Sequence, residues 1–125
     1  MGVVKISIAR KHFEEMRVDV AARYPVEACG LLAGVRGKSL GVFPLRNVLE
    51  SPHRYLADAE EMARALWEIH RRGWQVLAVY HSHPLGGFRL SAADLRFAER
   101  QFIHLIWAKK AGKWSVRGWV VYPVS

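Results

Sequence analysis

The sequence predicts an α/β domain built on a mixed sheet, and three observations carry that expectation. Segments with strand character alternate with segments of helical period, which is the pattern of a layered α/β domain. Two of the strand-like segments flank a tight turn signal, so at least one pair is antiparallel and the sheet is mixed. The length of 125 residues suits one domain, residues 1–125, with one sizeable core.

The elements follow in order. Val3 to Ala9 alternates apolar and polar residues and reads as a strand. His12 to Arg23 places Phe13, Met16, Val20 and Ala21 at helical spacing. Tyr24-Pro25 ends that helix, because a residue before proline is pushed out of the helical region. Cys29 to Val35 is apolar and reads as a buried strand, Gly37-Lys38 as a turn, and Ser39 to Leu45 as the hairpin partner. Residues 46–57 form a connection with a short strand near Tyr55. Asp58 to Arg72 reads as an amphipathic helix with Met62, Ala65, Leu66 and Ile69 on one face. Its acidic residues lie at the start and its basic ones at the end, as the helix dipole prefers, so Asp58, Glu60 and Glu61 are read as structural. Trp74 to Tyr80 is a central strand. Pro84 to Leu90 is a loop containing Gly86-Gly87, and Ser91 opens a helix running to about Glu99. Phe102 to Ala108 and Trp114 to Tyr122 read as the last two strands, with Ala111-Gly112 between them.

Composition excludes some function classes. Hydrophobic residues are 51% and charged residues 24%, a globular balance that argues against disorder. No apolar run approaches the roughly 18 residues of a membrane span, so no membrane partner is expected. Met1 to Arg10 lacks the basic start, apolar centre and cleavage site of a signal peptide. A single cysteine, Cys29, rules out a disulfide framework within one chain and agrees with a cytoplasmic location. The net charge is +8, from 19 Lys plus Arg against 11 Asp plus Glu, and would suit an acidic partner. The basic residues are scattered rather than striped, so nucleic acid is not the expected partner.

The densest chemistry lies in His81-Ser82-His83 and Ser91-Ala92-Ala93-Asp94. Residues two apart on a strand point the same way, so His81 and His83 can chelate one ion at the end of the central strand. A carboxylate completes a three-ligand zinc set that leaves one position for water, and the loop 84–90 could bring Asp94 back over the strand end. Zinc lowers the pKa of such a water to about 7. Glu27, between the proline and an apolar strand, is the leading candidate to accept the proton and return it to a leaving amine. On their own, Ser91 and Asp94 also read as a helix-capping box, and a lone His-x-His pair is a weak signal.

Together these residues resemble the motif of the JAMM (MPN-plus) metallopeptidases: a distant Glu, His-Ser/Thr-His, seven residues, Ser, two residues, Asp. Glu27, His81-Ser82-His83, the seven residues Pro84 to Leu90, Ser91 and Asp94 match it in full. The segment Tyr24 to Leu32 and Asn47 after the hairpin are also similar to that family, whereas Leu90 stands where many relatives have proline. The resemblance implies a curved mixed β-sheet flanked by helices, similar to cytidine deaminases. It implies one Zn2+ per chain on His81, His83 and Asp94, with Glu27 as general base and then acid, and Ser91 stabilising the oxyanion. It further implies hydrolysis of an amide or isopeptide bond after the C-terminal Gly-Gly of a ubiquitin-like or sulfur-carrier protein.

Rival readings attach to other residues. A non-catalytic module of the same fold, or a basic nucleic-acid-binding protein, are the alternatives. Cys29 could be a nucleophile but reads better as a buried small hydrophobe. His12, His53, His70 and His104 lack paired spacing and read as surface or core histidines. The five tryptophans read as core or subunit-contact residues, which leaves a homo-oligomer open. Phe88 and Arg89, on the loop beside the histidines, are candidates to touch substrate.

Overall fold

The computed structural model describes residues 5–90 and 103–120. Its elements are α1 (Arg10–Arg23), β1 (Cys29–Val35), β2 (Lys38–Leu45), α2 (Ala59–Arg71), β3 (Gln75–His83), β4 (Ile103–Lys110) and β5 (Lys113–Val120). The five strands form one sheet in the order β2-β1-β3-β4-β5. β1 runs antiparallel to β2 and to β3, β3 runs parallel to β4, and β5 returns antiparallel to β4. The sheet is therefore mixed, as the hairpin signal within an alternation of strands and helices predicts. The chain between β3 and β4 is long enough for the crossover that a parallel pair demands.

Both hairpins turn on two consecutive residues with positive φ: Arg36 (54°) and Gly37 (76°), then Ala111 (53°) and Gly112 (78°). Two left-handed residues match the twist of the flanking strands, and glycine takes the second at no steric cost. The first turn therefore lies one residue earlier than the expected Gly37-Lys38, and β2 begins at Lys38. Pro44 sits inside β2, which it can do because β2 is a sheet edge.

Each face of the sheet has its own core. On one face, Met16 and Val20 of α1 pack with Leu32, Ala78, Tyr80, Leu105 and Trp107. Burying each such side chain contributes about 1.5–3 kcal/mol. On the other face, Ala65 and Ile69 of α2 pack with Cys29, Leu31, Ala33 and Leu45. Leu66 does not join them: it is 44% exposed, because the Met62-Ala65-Ile69 row points inward and Leu66 flanks it. Asp58 caps α2 by accepting from the Glu61 N–H at 2.9 Å, so its carboxylate is structural, as its place in the sequence suggests.

The expected strand at 3–9 is present in its described part only as one bridge, Ser7 to Lys38. Ser39 Oγ accepts from the Ala9 N–H at 2.8 Å and contacts His12 Nδ1 at 2.7 Å, which draws the chain off the sheet edge and into α1. His12 is thus a core histidine. The expected helix from Ser91 to about Glu99 lies outside the described residues.

Beneath α1, Tyr80 donates to Asp19 Oδ2 at 2.7 Å, and Asp19 pairs with Arg23 at 2.9 Å. Arg23 also donates to the Leu45 carbonyl. This polar chain ties α1 to the middle of β3 and to the end of β2.

Candidate active site

β3 runs through His83, three residues beyond the expected end. Alternation along it puts Ala78 and Tyr80 on the α1 face and leaves Val79, His81 and His83 on the α2 face. The antiparallel register aligns Cys29 with His81. Continued by two residues, that register brings Glu27 opposite His83 and onto the same face. Ser82, between the two histidines, secures this extension. Its N–H donates to the Ala28 carbonyl at 3.0 Å, and its Oγ accepts from the Ala28 N–H at 2.8 Å. Ser82 is fully buried and turned away from the site, so its role is to lock the two chains together.

Glu27 is held from its other side. Its N–H donates to the Ser51 carbonyl at 2.9 Å, and its carbonyl accepts from Asn47 Nδ2 at 2.9 Å. The connection 46–57, in which a short strand near Tyr55 is expected, therefore anchors the candidate base. Near Tyr55 the expected short strand is reduced to an isolated bridge from Asn47 to Ala57, beside which the Val48 N–H donates to the Leu56 carbonyl at 2.9 Å.

The carboxylate of Glu27 and ring nitrogens of His81 and His83 lie within 4.8 Å of one another. Glu27 and His81 are buried, at 2% and 0% exposure, and His83 is half-buried. Two imidazoles and a carboxylate are the donor types that zinc selects, so the residues present fit that ion. Tyr55 stacks on His81 with ring centroids 4.8 Å apart and fixes the plane of the imidazole. His83 Nδ1 lies 2.9 Å from the Gly87 carbonyl. A carbonyl only accepts, so Nδ1 carries the proton and Nε2 presents the lone pair, the arrangement by which ligating histidines are commonly oriented.

A cleft of about 330 Å³ opens beside these groups, lined by Glu27, Pro52, His53, His83, Leu85 and Arg89 together with Gly86 and Gly87. The loop after His83 crosses to β5, where Trp119 Nε1 donates to the Phe88 carbonyl at 2.6 Å and Arg117 lies 4.7 Å over the Phe88 ring. Phe88 is thus a docking residue of the loop, whereas Arg89 lines the cleft. Ser91 and Asp94 lie outside the described residues.

Cys29 is 1% exposed, and its Sγ is 3.4 Å from the Leu45 carbonyl. Burial pushes its thiol up to about 12, so the structure overrules the nucleophilic reading. His53 is exposed at the cleft, His70 is exposed on α2, and His104 is buried on β4. Trp107 is a core residue, but Trp67, at 64% exposure, is not. Asn47, Tyr55 and Trp119 support the site without any spacing pattern that announces it. Only the position of Asn47 just past the hairpin singles one of them out.

Comparison with known proteins gives a consistent result. The family model described as prokaryotic homologs of the JAB domain matches residues 9–122. A probable TtuB-protein conjugate cleaving protease of Thermus thermophilus is 38% identical over 100 residues, 79% of this chain and 67% of the relative. The desampylase of Pyrococcus furiosus is 31% identical over 114 residues, 91% of this chain and 80% of the relative. A CysO-cysteine peptidase of Mycobacterium tuberculosis is 29% identical over 109 residues, 84% and 74% of the two chains. Among solved structures, a Desulfitobacterium hafniense protein superposes with a TM-score of 0.83 at 32% identity, covering 94% of this chain and 84% of that one.

Proposed function

The chain belongs to the prokaryotic JAB-domain family, of JAMM type, and from that premise we propose that it is a zinc-dependent metallopeptidase. It hydrolyses an amide or isopeptide bond after the C-terminal Gly-Gly of a ubiquitin-like or sulfur-carrier protein. One observation supports this reading above the others: a buried carboxylate and two imidazoles converge within 4.8 Å at the head of a cleft. Buried ionisable groups need such a purpose or such a partner, since burying an isolated charge is costly.

His81 and His83 hold the metal, with Asp94 as the third ligand. Zinc held there supplies Lewis-acid polarisation of water and of the scissile carbonyl. Glu27 takes the proton that water loses as its oxygen bonds to the carbonyl carbon. It then returns that proton to the nitrogen as the C–N bond breaks, so a neutral amine leaves. Ser91 donates to the oxyanion that forms between these two steps. Tyr55 and the Gly87 carbonyl keep the two imidazoles aimed. The lone buried thiol agrees with work in a reducing cytoplasm.

The test combines metal analysis with cleavage of a ubiquitin-like fusion carrying a Gly-Gly junction. Wild type should contain one zinc per chain and cut the junction. Glu27→Gln should keep its zinc and lose about 10²–10⁴-fold in turnover, while His81→Ala should lose both. Undiminished cleavage by either variant would sink the assignment of roles. Stoichiometric zinc without turnover on any junction would instead favour a non-catalytic module of this fold.

A further inference from the structure

The end of the sheet that carries the site also carries charge in an unfavourable arrangement. Lys109-Lys110-Ala111-Gly112-Lys113 joins β4 to β5 and places three cations within one short turn. Ile103 to Ala108 of β4 are buried, whereas residues 109–113 are all exposed, so the hairpin stands out from the domain as an arm. Register places Lys110 directly opposite Lys113. Like charges that face each other across an antiparallel pair are destabilising. No carboxylate relieves them, since none of the three lysines is in an ion pair among the described residues. A local rule broken without compensation inside the fold marks a contact with something outside it.

The arm is held in place. Lys109 turns to the α1 face, where its ammonium lies 4.5 Å from the centroid of the Tyr24 ring and 5.7 Å from that of Trp114. Tyr24 closes α1 just before the Pro25-Val26-Glu27 segment, so the arm is fixed to the stretch that carries the candidate base. On the site's own face, His83, Ala108 and Ser115 form a row across β3, β4 and β5. Lys110 and Lys113 lie two residues further along, about 7 Å beyond that row.

Strand order says which part of a substrate comes near them. Glu27 lies on the β1 side of His83, and as proton donor it faces the leaving nitrogen. The acyl side of the scissile bond, which bears the carrier protein, therefore points the other way, toward β4 and β5. We propose that Lys110 and Lys113 dock an acidic patch of the carrier protein at the root of its Gly-Gly tail. This rests on the peptidase reading above and assigns the surface that selects the carrier. An extended tail rises about 3.3 Å per residue, so carboxylates about three to five residues before the junction reach both ammonium groups.

The experiment uses three fusions of one ubiquitin-like domain with a Gly-Gly junction, alike except for aspartate, asparagine or lysine in the segment just before the Gly-Gly. Wild type should cut the aspartate fusion about tenfold better than the asparagine one in kcat/KM, chiefly through KM, and the ratio should shrink as salt is raised. Lys110→Glu with Lys113→Glu should invert the order, so that the lysine fusion is cut best. Arg36→Glu with Lys38→Glu, at the opposite end of the sheet, changes the net charge equally and should leave the order intact. Lys110→Glu alone puts opposite charges across the hairpin. Its thermal midpoint should rise by about 1–4 °C while the aspartate preference falls. A wild-type ratio near one, an order that the double substitution at 110 and 113 leaves intact, or an equal loss from the pair at 36 and 38 overturns the proposal. So does binding of labelled duplex DNA that needs Lys110 and Lys113 without discrimination among the fusions, which would make the arm a nucleic-acid site. Failure to cut any fusion overturns the peptidase reading instead, and the affinities for the uncut fusions, read by fluorescence anisotropy, then decide the docking by the same order.

Discussion

Asn47 makes four hydrogen bonds with one buried side chain. Nδ2 donates to the carbonyls of Glu27 and Arg54 at 2.9 and 3.0 Å, and Oδ1 accepts from the N–H groups of Leu49 and Leu56, both at 3.1 Å. Two donors and two lone pairs are all that an amide has, so no isostere can replace it. Asn47→Ala should cost about 2–3 kcal/mol in urea unfolding, since it strands several backbone groups where water reaches poorly. Asn47→Asp should fare little better, because it turns two donors into acceptors that face two carbonyls. Both should also slow cleavage, because the tether on the Glu27 carbonyl is gone. Variants within about 0.5 kcal/mol of the parent would show that water replaces these bonds freely. That His81 and His83 share a face is readable from sequence, because a strand has period two. The partners of Asn47 lie up to 20 residues away in sequence, so its spacing says nothing about its task. Glu27 is intermediate. Its proximity to His83 follows from the β1-β3 register, which strand patterns do not reveal, and its choice depends most on the motif.

At the scale of elements, β1 and α2 matched their expected bounds closely, because apolar runs and an acidic-to-basic helix are local signals. The strand at 3–9 did not form as expected, because a polar contact at Ser39 and His12 outcompetes further pairing along the edge. The segment after His83 shows the same limit: nothing in its sequence announces that Phe88 is tied to β5. Trp119→Phe keeps the ring and removes the donor to Phe88. Unfolding free energy should change by less than about 1 kcal/mol, since the lost bond is exposed. Zinc affinity, measured by chelator competition, should fall several-fold, less than the roughly 10–100-fold typical of a direct partner to a ligand. Unchanged affinity would mean that His83 holds the Gly87 carbonyl unaided. A packing test sits on the other face. A Cβ at Gly30 would lie 2.4 Å from the Tyr80 ring, so Gly30→Ala must shift a residue that is hydrogen-bonded to Asp19. It should cost about 1–3 kcal/mol, and a smaller loss would show that the ring can move.

For the whole molecule, two protons buried with Cys29 and Tyr80 set how the fold fails in base. Burial pushes the Cys29 thiol from 9.0 up to about 12. Burial first, and then the neighbouring Asp19 carboxylate, raise the Tyr80 hydroxyl well above its ordinary 10.0. In both cases the folded chain keeps a proton that the unfolded chain releases. Unfolded molecules then bind fewer protons, so stability falls as pH rises. Below pH 9 the contribution of both groups is intact. Between pH 9 and 10 Cys29 alone weakens the fold, by about 1.4 kcal/mol per pH unit. Above pH 10 Tyr80 joins it and the slope steepens. By pH 11 the combined loss reaches about 4 kcal/mol, a large part of the roughly 5–15 kcal/mol that holds an ordinary domain together. Urea midpoints measured from pH 7 to 11 should therefore bend downward near pH 9 and again near pH 10. Cys29→Ala should remove the first bend and Tyr80→Phe the second, whatever each substitution costs at neutral pH, because slopes rather than levels are compared. A midpoint that stays flat to pH 11 would mean that both groups ionise inside the fold at little cost. The two faces of the sheet would then be wetter than their packing indicates.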